Sequence, residues 1–509
     1  MIKRTIHINI HKMGDPIWIG FVFLQIFFGC ARKTEELSQP LVLARIGSET
    51  ITAQDFRYRA GLTVRPGSIR TVNAVLNNLI AEKLLANEAG DTCELAKNPA
   101  FQAFVQGIRE QAMREQLYHE IALKQVRLSE DEIKKTYDLS QKVYDLDFFT
   151  INNPEIVEQV QLQLSTGQST VSEIFSSLKA LGESGQQTVK WRDPDNDQIH
   201  KALFNREHDI GEIIGPIRFD MGRWMMMRVL DSRTEPMIGP EEFKMRIHEV
   251  RKKLTELKAR DIWHNYKNTM MQGKEIRFEK AIFEKIVELF LEERQSSQDQ
   301  EIPPPQKSEP DTHLVSQIPD KLDAMLDQPF FRLDGETWTV GDFKRAIMSH
   351  PLVYRKKMHP NDRFPSYFKQ AIADLIVDHY LNKEAYRRGL NKHPEVQRQG
   401  QQWKDCYLAK KQINQYLKKI QVHELQKKDH TYYGPRAVNE YLAQLNQKYS
   451  GHIHINKENL KELDLNKTVP VFVMRPGMPY PVAIPPFPHF TNTDSLLFGR
   501  ESQDAIGSL

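Results

Sequence analysis

The chain of 509 residues carries 70 basic and 67 acidic side chains, a formal net charge of +3. That balance argues against a dedicated nucleic-acid binder, which needs a basic excess gathered on one face. The length allows several domains at roughly 100–200 residues each. Charged residues at 27% and hydrophobic ones at 40% are ordinary for a soluble protein. There is no Gly-rich phosphate loop, no zinc-type cysteine spacing and no G-x-S-x-G elbow, so no cofactor and no resident metal is expected.

Lys3, Arg4 and Lys12 form a basic leader ahead of the apolar run Ile17–Phe28. Twelve residues are too few to span a bilayer, which takes about 20, but they suit the h-region of a secretory signal. Residues 1–29 are therefore read as a signal peptide. Gly29-Cys30 after the h-region resembles the lipobox of bacterial lipoproteins, with Phe27 and Phe28 departing from its usual residues. The resemblance implies lipidation of Cys30, with residues 30–40 as a linker. Two or more acyl chains hold a protein stably at a membrane, so the location implied is the periplasmic side of the cell envelope. Ala31 and Arg32 lack the aspartate that retains such lipoproteins at the inner membrane of enteric-type bacteria, which favours the outer one. The remaining cysteines, Cys93 and Cys406, are either free or paired.

Past the linker, Leu43, Ile46 and Ile51 flank a Gly47-Ser48 turn, predicting a hairpin that enters a helix near Thr52, with Asp55 as its capping partner. Apolar residues at helical spacing from Val72 to Leu84 predict a helix over 71–89, and a second follows from Pro99 to about Val126. Ser129 caps a short helix. Residues 143–232 change character. VYDLDFFTI reads as a strand, 156–164 and 171–181 as helices, TVKW as extended, 201–204 as a helix end, and 210–230 as a hairpin turning at 220–222. From Pro240 to Met271 the pattern is helical and densely charged, and Phe278–Leu291 adds one more helix. Residues 292–328 read as a linker rich in charge, Ser/Gln and proline.

The chain then repeats itself. At an offset of 287, Arg45/Arg332, Glu49/Glu336, Thr50/Thr337, Thr52/Thr339, Asp55/Asp342 and Phe56/Phe343 are identical; at 296, LIAEKLLANEA (79–89) meets LIVDHYLNKEA (375–385). Two copies make a duplicated module and not a solenoid. His452-Ile453-His454 puts two imidazoles on one strand face, half a metal site and read as a solvated face. The Pro-rich tail, 466–509, favours extended polyproline II over packed structure.

Three segments together resemble one family. ARIGSETITAQDF with LIAEKLLANEA is similar to the helical chaperone module of SurA- and PrsA-type periplasmic foldases. LSEDEIKKTYD resembles the segment leading into their parvulin domain. KALFNREHDIGEIIGPIRFDMGRWMMMRVLD resembles the last third of a parvulin-type (PpiC-like) peptidyl-prolyl isomerase domain, with Ala202, Phe204, Gly211, Glu212, Gly215, Pro216 and Gly222 in matching places. The fold implied is α+β and mostly helical: SurA-like helical modules around a small parvulin-like (FKBP-like) α+β domain. The domains implied are a first module at 41–140, a parvulin-like domain at 143–232, helices at 240–291 completing that first module, and a second module at 329–465.

The family faces two histidines across its sheet. Here the first strand has none, and the last strand offers Trp224 or Met225 at the expected place, according to the alignment. The Gly-Gly-x-Leu-Gly before the middle strand is absent, and only the aromatic Trp191 remains. The resemblance thus implies a foldase that binds unfolded or nascent secreted and outer-membrane polypeptides but has lost its isomerase dyad. Phe204, Trp191, Trp224, Met225 and Met226 are candidates to line an apolar proline slot, since methionine suits surfaces that accept many sequences. For any one of Trp224–Met227, core filling competes with that role, because alternate strand residues face opposite ways. His200 and His208 are the histidines near a helix end that could replace the lost pair. The rival readings are an active isomerase using non-family residues and a structural lipoprotein holding one fixed partner.

Overall fold

The computed structural model describes residues 41–63, 71–151, 153–166, 171–179, 184–194, 196–220, 223–236, 239–299, 320–349, 364–420, 435–465, 485 and 487–499. The expected signal segment and Cys30 lie outside the described residues. Strands β1 (Val42–Ile46) and β2 (Glu49–Thr52) pair antiparallel around Gly47, whose φ of +58° suits a residue without a Cβ. Helix α1 (Ala53–Thr63) starts on a reciprocal cap. The Thr52 N–H and hydroxyl donate to Asp55 Oδ2 at 2.8 and 2.7 Å, and the Asp55 N–H donates back to Thr52 Oγ1 at 3.2 Å. Helix α2 (Val72–Ala89) is capped by Thr71. Then come α3 (Glu94–Lys97), α4 (Pro99–Ile121) and α5 (Glu130–Leu139), the last capped by Ser129.

An α+β unit is inserted next: β3 (Lys142–Ile151), α6 (Pro154–Thr166), α7 (Val171–Lys179), β4 (Ser184–Lys190), α8 (Asp197–Phe204), β5 (Ile213–Asp220) and β6 (Arg223–Thr234). Its antiparallel sheet has the order β4-β3-β6-β5. Helix α9 (Pro240–Met271), strand β7 (Ile276–Phe278) and helix α10 (Lys280–Asp299) follow.

The second copy opens with β8 (Pro329–Leu333), β9 (Glu336–Thr339) and α11 (Val340–Ser349). Its cap reproduces the first. The Thr339 N–H and hydroxyl donate to Asp342 Oδ2 at 2.9 and 2.8 Å, and the Asp342 N–H donates back at 3.1 Å. Helices α12 (Phe364–Arg387), α13 (Pro394–Lys419) and α14 (Pro435–Tyr449), strand β10 (Ile453–Ile455) and helix α15 (Lys457–Lys461) complete the described elements. The fold is α+β and mostly helical, and none of the described helices is long and apolar enough to cross a membrane.

The two copies exchange their completing parts. Strand β10 adds to β1 and β7 adds to β8, each antiparallel. Ala409, Ile413 and Leu417 of α13 join the core of the first copy with Leu76, Ile80 and Leu84 of α2. In return, Ala112, Met113 and Leu117 of α4 pack with Leu381 and Ala385 of α12 and with Trp263 of α9. Between them α4 meets α13 through Phe104, which lies edge-on to Trp403 and Tyr407 at 5.4 and 5.6 Å.

Of the span 240–291 expected to complete the first module, α9 does meet α4 through Ala259 and Trp263, whereas α10 does not. Phe283, Ile286, Val287 and Phe290 of α10 lie in the core of the second copy with Phe330, Phe343 and Phe368. The expected linker also shortens. Helix α10 continues to Asp299, and Leu322 is buried in that same core. The end of the tail departs from expectation as well. It is extended, but Phe487, Phe490 and Phe498 are buried, and the last two belong to the core of the first copy.

Candidate functional site

Strand alternation splits the sheet of the inserted unit into two apolar faces. Tyr144, Leu146 and Phe148 of β3 and Met225, Met227 and Val229 of β6 share one face with Trp191 and with Leu203 and Phe204 of α8. Phe149 and Ile151 of β3 and Trp224 and Met226 of β6 share the other with Val157, Val160, Ile174 and Phe175 of α6 and α7. The candidate residues are therefore divided. Trp191, Phe204 and Met225 belong to the first face; Trp224 and Met226 belong to the second, with Met226 wholly buried.

The first face is packed at one end and partly open at the other. At the packed end, Trp191 lies edge-on to Phe204 at 5.3 Å and to His200 at 4.4 Å, and Tyr144 sits 5.9 Å from Phe204 and 5.7 Å from His208. Ile133 of α5 and Val250 of α9 close over this cluster. At the open end Phe148, Met225 and Ile217 are half-buried, and Met225 and Ile217 are cross-strand partners. Sequence reading missed Phe148 and Ile217. The alternation of VYDLDFFTI carries the signal for Phe148, on the same face as Tyr144 and Leu146.

The polar groups of this face are engaged or sealed in. Tyr144, His200 and His208 are all buried. Burial pushes His200 down to about 3, helped by the charge of Lys253, so its imidazole is neutral. Burial pushes the Tyr144 phenol up. His208 is held from both ring nitrogens, Nε2 to the Ala202 carbonyl at 2.8 Å and Nδ1 to Glu212 Oε1 at 3.0 Å. Arg206 also binds Glu212 and holds its carboxyl down at about 2. These bonds fix the loop between α8 and β5. The half-open end presents the apolar side chains of Phe148, Met225 and Ile217.

Gly215 shapes the approach of β5 to β6. Its φ is +120°, and an added Cβ would sit 2.6 Å from the Met225 carbonyl oxygen.

Elsewhere, Cys93 and Cys406 form no disulfide, and burial pushes the Cys406 thiol up. His454 is exposed opposite Arg45. Among the described residues no group of three or more His, Cys, Asp or Glu side chains is placed to hold a metal ion.

No family model matches the chain, and no curated protein is similar to it. Among solved structures, the foldase protein PrsA from Streptococcus pneumoniae str. Canada MDR_19A is 12% identical, over 43% of this chain and 91% of that one, with a TM-score of 0.18. A likeness that slight fixes neither the fold nor the function of this chain.

Proposed function

We propose that this chain is an envelope-anchored chaperone, lipidated at Cys30, whose parvulin-like domain holds unfolded or nascent exported polypeptides without isomerising them. The observation that carries this reading is the contrast on one sheet face. Tyr144, His200 and His208 are sealed in the core, while the Phe148–Met225–Ile217 strip stays partly open.

Prolyl isomerisation crosses a barrier of about 18–20 kcal/mol, and an enzyme lowers it by binding the twisted amide better than the planar one. That requires polar groups able to reach the bond, and His200 and His208 are turned to internal contacts. What the strip supplies is adaptable apolar surface for an extended chain. Covering exposed apolar segments competes with aggregation, and tethering by a lipidated Cys30 holds the protein at an envelope membrane surface, which raises its local concentration where exported chains fold.

The test uses the lipid-free protein, residues 31–509. Stoichiometric amounts are expected to suppress aggregation of unrelated denatured proteins while leaving the cis–trans rate of a proline tetrapeptide at its uncatalysed value. Acceleration abolished by Met225→Ala would replace this reading with an active isomerase. No suppression, with a single stoichiometric partner in a pull-down, would replace it with a structural lipoprotein.

A further inference from the structure

Residues 487–499 run as an extended strip across helix α2, and α2 holds them almost entirely by their backbone. The Asn78 side chain donates to the Thr491 carbonyl at 2.7 Å, and its Oδ1 accepts the N–H groups of Phe490 and Thr491 at 2.7 and 3.3 Å. The adjacent Asn77 donates to the carbonyls of Thr493 and Ser495 at 3.1 and 2.8 Å and accepts the Leu497 N–H at 3.1 Å. Asn73 donates to the Asp494 carbonyl at 2.9 Å, and Asn446 of α14 accepts the Gly499 N–H at 3.1 Å. The Thr71 hydroxyl also donates to Asp494 Oδ1 at 3.0 Å.

Asparagine is a poor residue for a helix interior, and a buried amide is tolerated only when its donors and acceptor are paired. Asn77 and Asn78 are buried, and the strip supplies that pairing. The second copy does without it. At the offset of 296, Asn77 and Asn78 are replaced by Ala373 and Asp374. The asparagines are therefore matched to the extended strip, and the second copy shows that a helix at this place forms without them. The remaining contacts are apolar sockets. Phe490 and Phe498 enter the core of the first copy, and the Arg59 guanidinium lies 3.6 Å over the Phe487 ring.

Backbone-directed hydrogen bonds give affinity that tolerates sequence, and pockets for spaced side chains add preference. We propose that this face of α2 is a binding groove for extended, aromatic-rich polypeptide, and that residues 487–499 occupy it in cis as a displaceable stand-in for client. This deepens the chaperone reading above and rests on it for the nature of the client. A tethered occupant acts at an effective concentration of order millimolar. Only clients presented at close quarters or with several aromatic segments displace it, and the groove is shielded from casual ligands.

The test uses the lipid-free protein with Thr71→Cys and Asp494→Cys, whose disulfide would pin the strip, together with the unsubstituted protein. The probes are the synthetic peptide PPFPHFTNTDSLLFG (residues 485–499) and reduced, carboxymethylated α-lactalbumin as a permanently unfolded client. In the unsubstituted protein, saturating client is expected to speed hydrogen exchange of the amides at 487–499. The reduced double variant is expected to bind client about tenfold or more tighter than the oxidised one, since only a competent, vacated groove binds, and excess peptide is expected to compete. Unchanged exchange at saturating client, or equal affinity in both redox forms, overturns the proposal and makes the strip a fixed piece of core. Aggregation suppression separates the two claims. If it persists equally in both redox forms, this inference fails and the chaperone reading stands. If it is absent from every form while client still releases the strip, the chaperone reading fails and the groove stands.

Discussion

Arg59 of α1 and Glu82 of α2 meet at 2.6 Å with their side chains 3% and 4% exposed. Burial pushes the Glu82 carboxyl up, and the Arg59 charge opposes it. The second copy keeps the acid at the equivalent place but draws its cation from elsewhere: Asp378 of α12 meets Arg114 of α4 at 3.5 Å. Each long helix is thus pinned by a buried pair, and in the second copy that pair spans the exchange.

Breaking either pair strands a charge in the core, which typically costs about 3–5 kcal/mol. Arg59→Met and Arg114→Met are each expected to lower the unfolding free energy by an amount of that size, read from the fall in the urea midpoint. Adding Glu82→Leu to the first is expected to recover most of the loss. A midpoint that stays put in Arg59→Met refutes the assignment.

His200 gives a pH signature. It is neutral in the fold down to about 3, against 6.5 for the free side chain. Between those values the unfolded chain binds a proton that the folded chain does not. The stability involved is fully present above 6.5 and is lost as pH falls towards 3, with a limiting slope of about 1.4 kcal/mol per pH unit. His200→Leu removes this contribution, so its melting temperature is expected to fall less steeply than that of the unsubstituted protein between pH 6.5 and 3. Parallel curves would show that His200 charges freely in place.

Gly215→Ala meets two obstacles, a positive φ and the Met225 carbonyl oxygen. A loss of about 1–3 kcal/mol is expected, with a change in near-ultraviolet circular dichroism from Trp224 on the paired strand. Wild-type stability in this variant would contradict the close approach of β5 to β6.

The duplicated caps are expected to weigh alike. Asp55→Ala and Asp342→Ala each remove an acceptor shared by a backbone N–H and a hydroxyl, and each is expected to destabilise the chain by about 1 kcal/mol. Chemical denaturation of the two variants side by side checks the symmetry.

The local features were legible because their causes are local. Thr52 and Asp55, and Ser129, act within one helical turn, and the repeat of the first cap announces the second copy. Alternation along Trp224–Met227 predicts opposite facings, and Met226 and Met227 do fill different cores. Which helix completes which copy was not legible. Apolar periodicity names a buried face without naming its partner, and α10 and α13 read the same in either arrangement. Strands β7 and β10 are three residues each, too short for a periodic signal. The end of the tail was misjudged because proline content reports backbone preference. The decisive groups, Asn77 and Asn78, lie more than 400 positions earlier, inside a helix where they look merely unfavourable.

The exchange also sets the order in which this chain can finish. The Leu43 carbonyl waits for the Asn456 N–H, and the Val42 carbonyl for the Asn459 side chain, 417 positions further on. A chain made amino end first therefore has its opening hairpin without the third strand, and holds that edge open until nearly the last stretch has followed. Contacts so distant in sequence make for slow maturation. A ribosome that stops early releases a fragment whose leading module lacks its third strand and part of its interior, an apt mark for proteolysis.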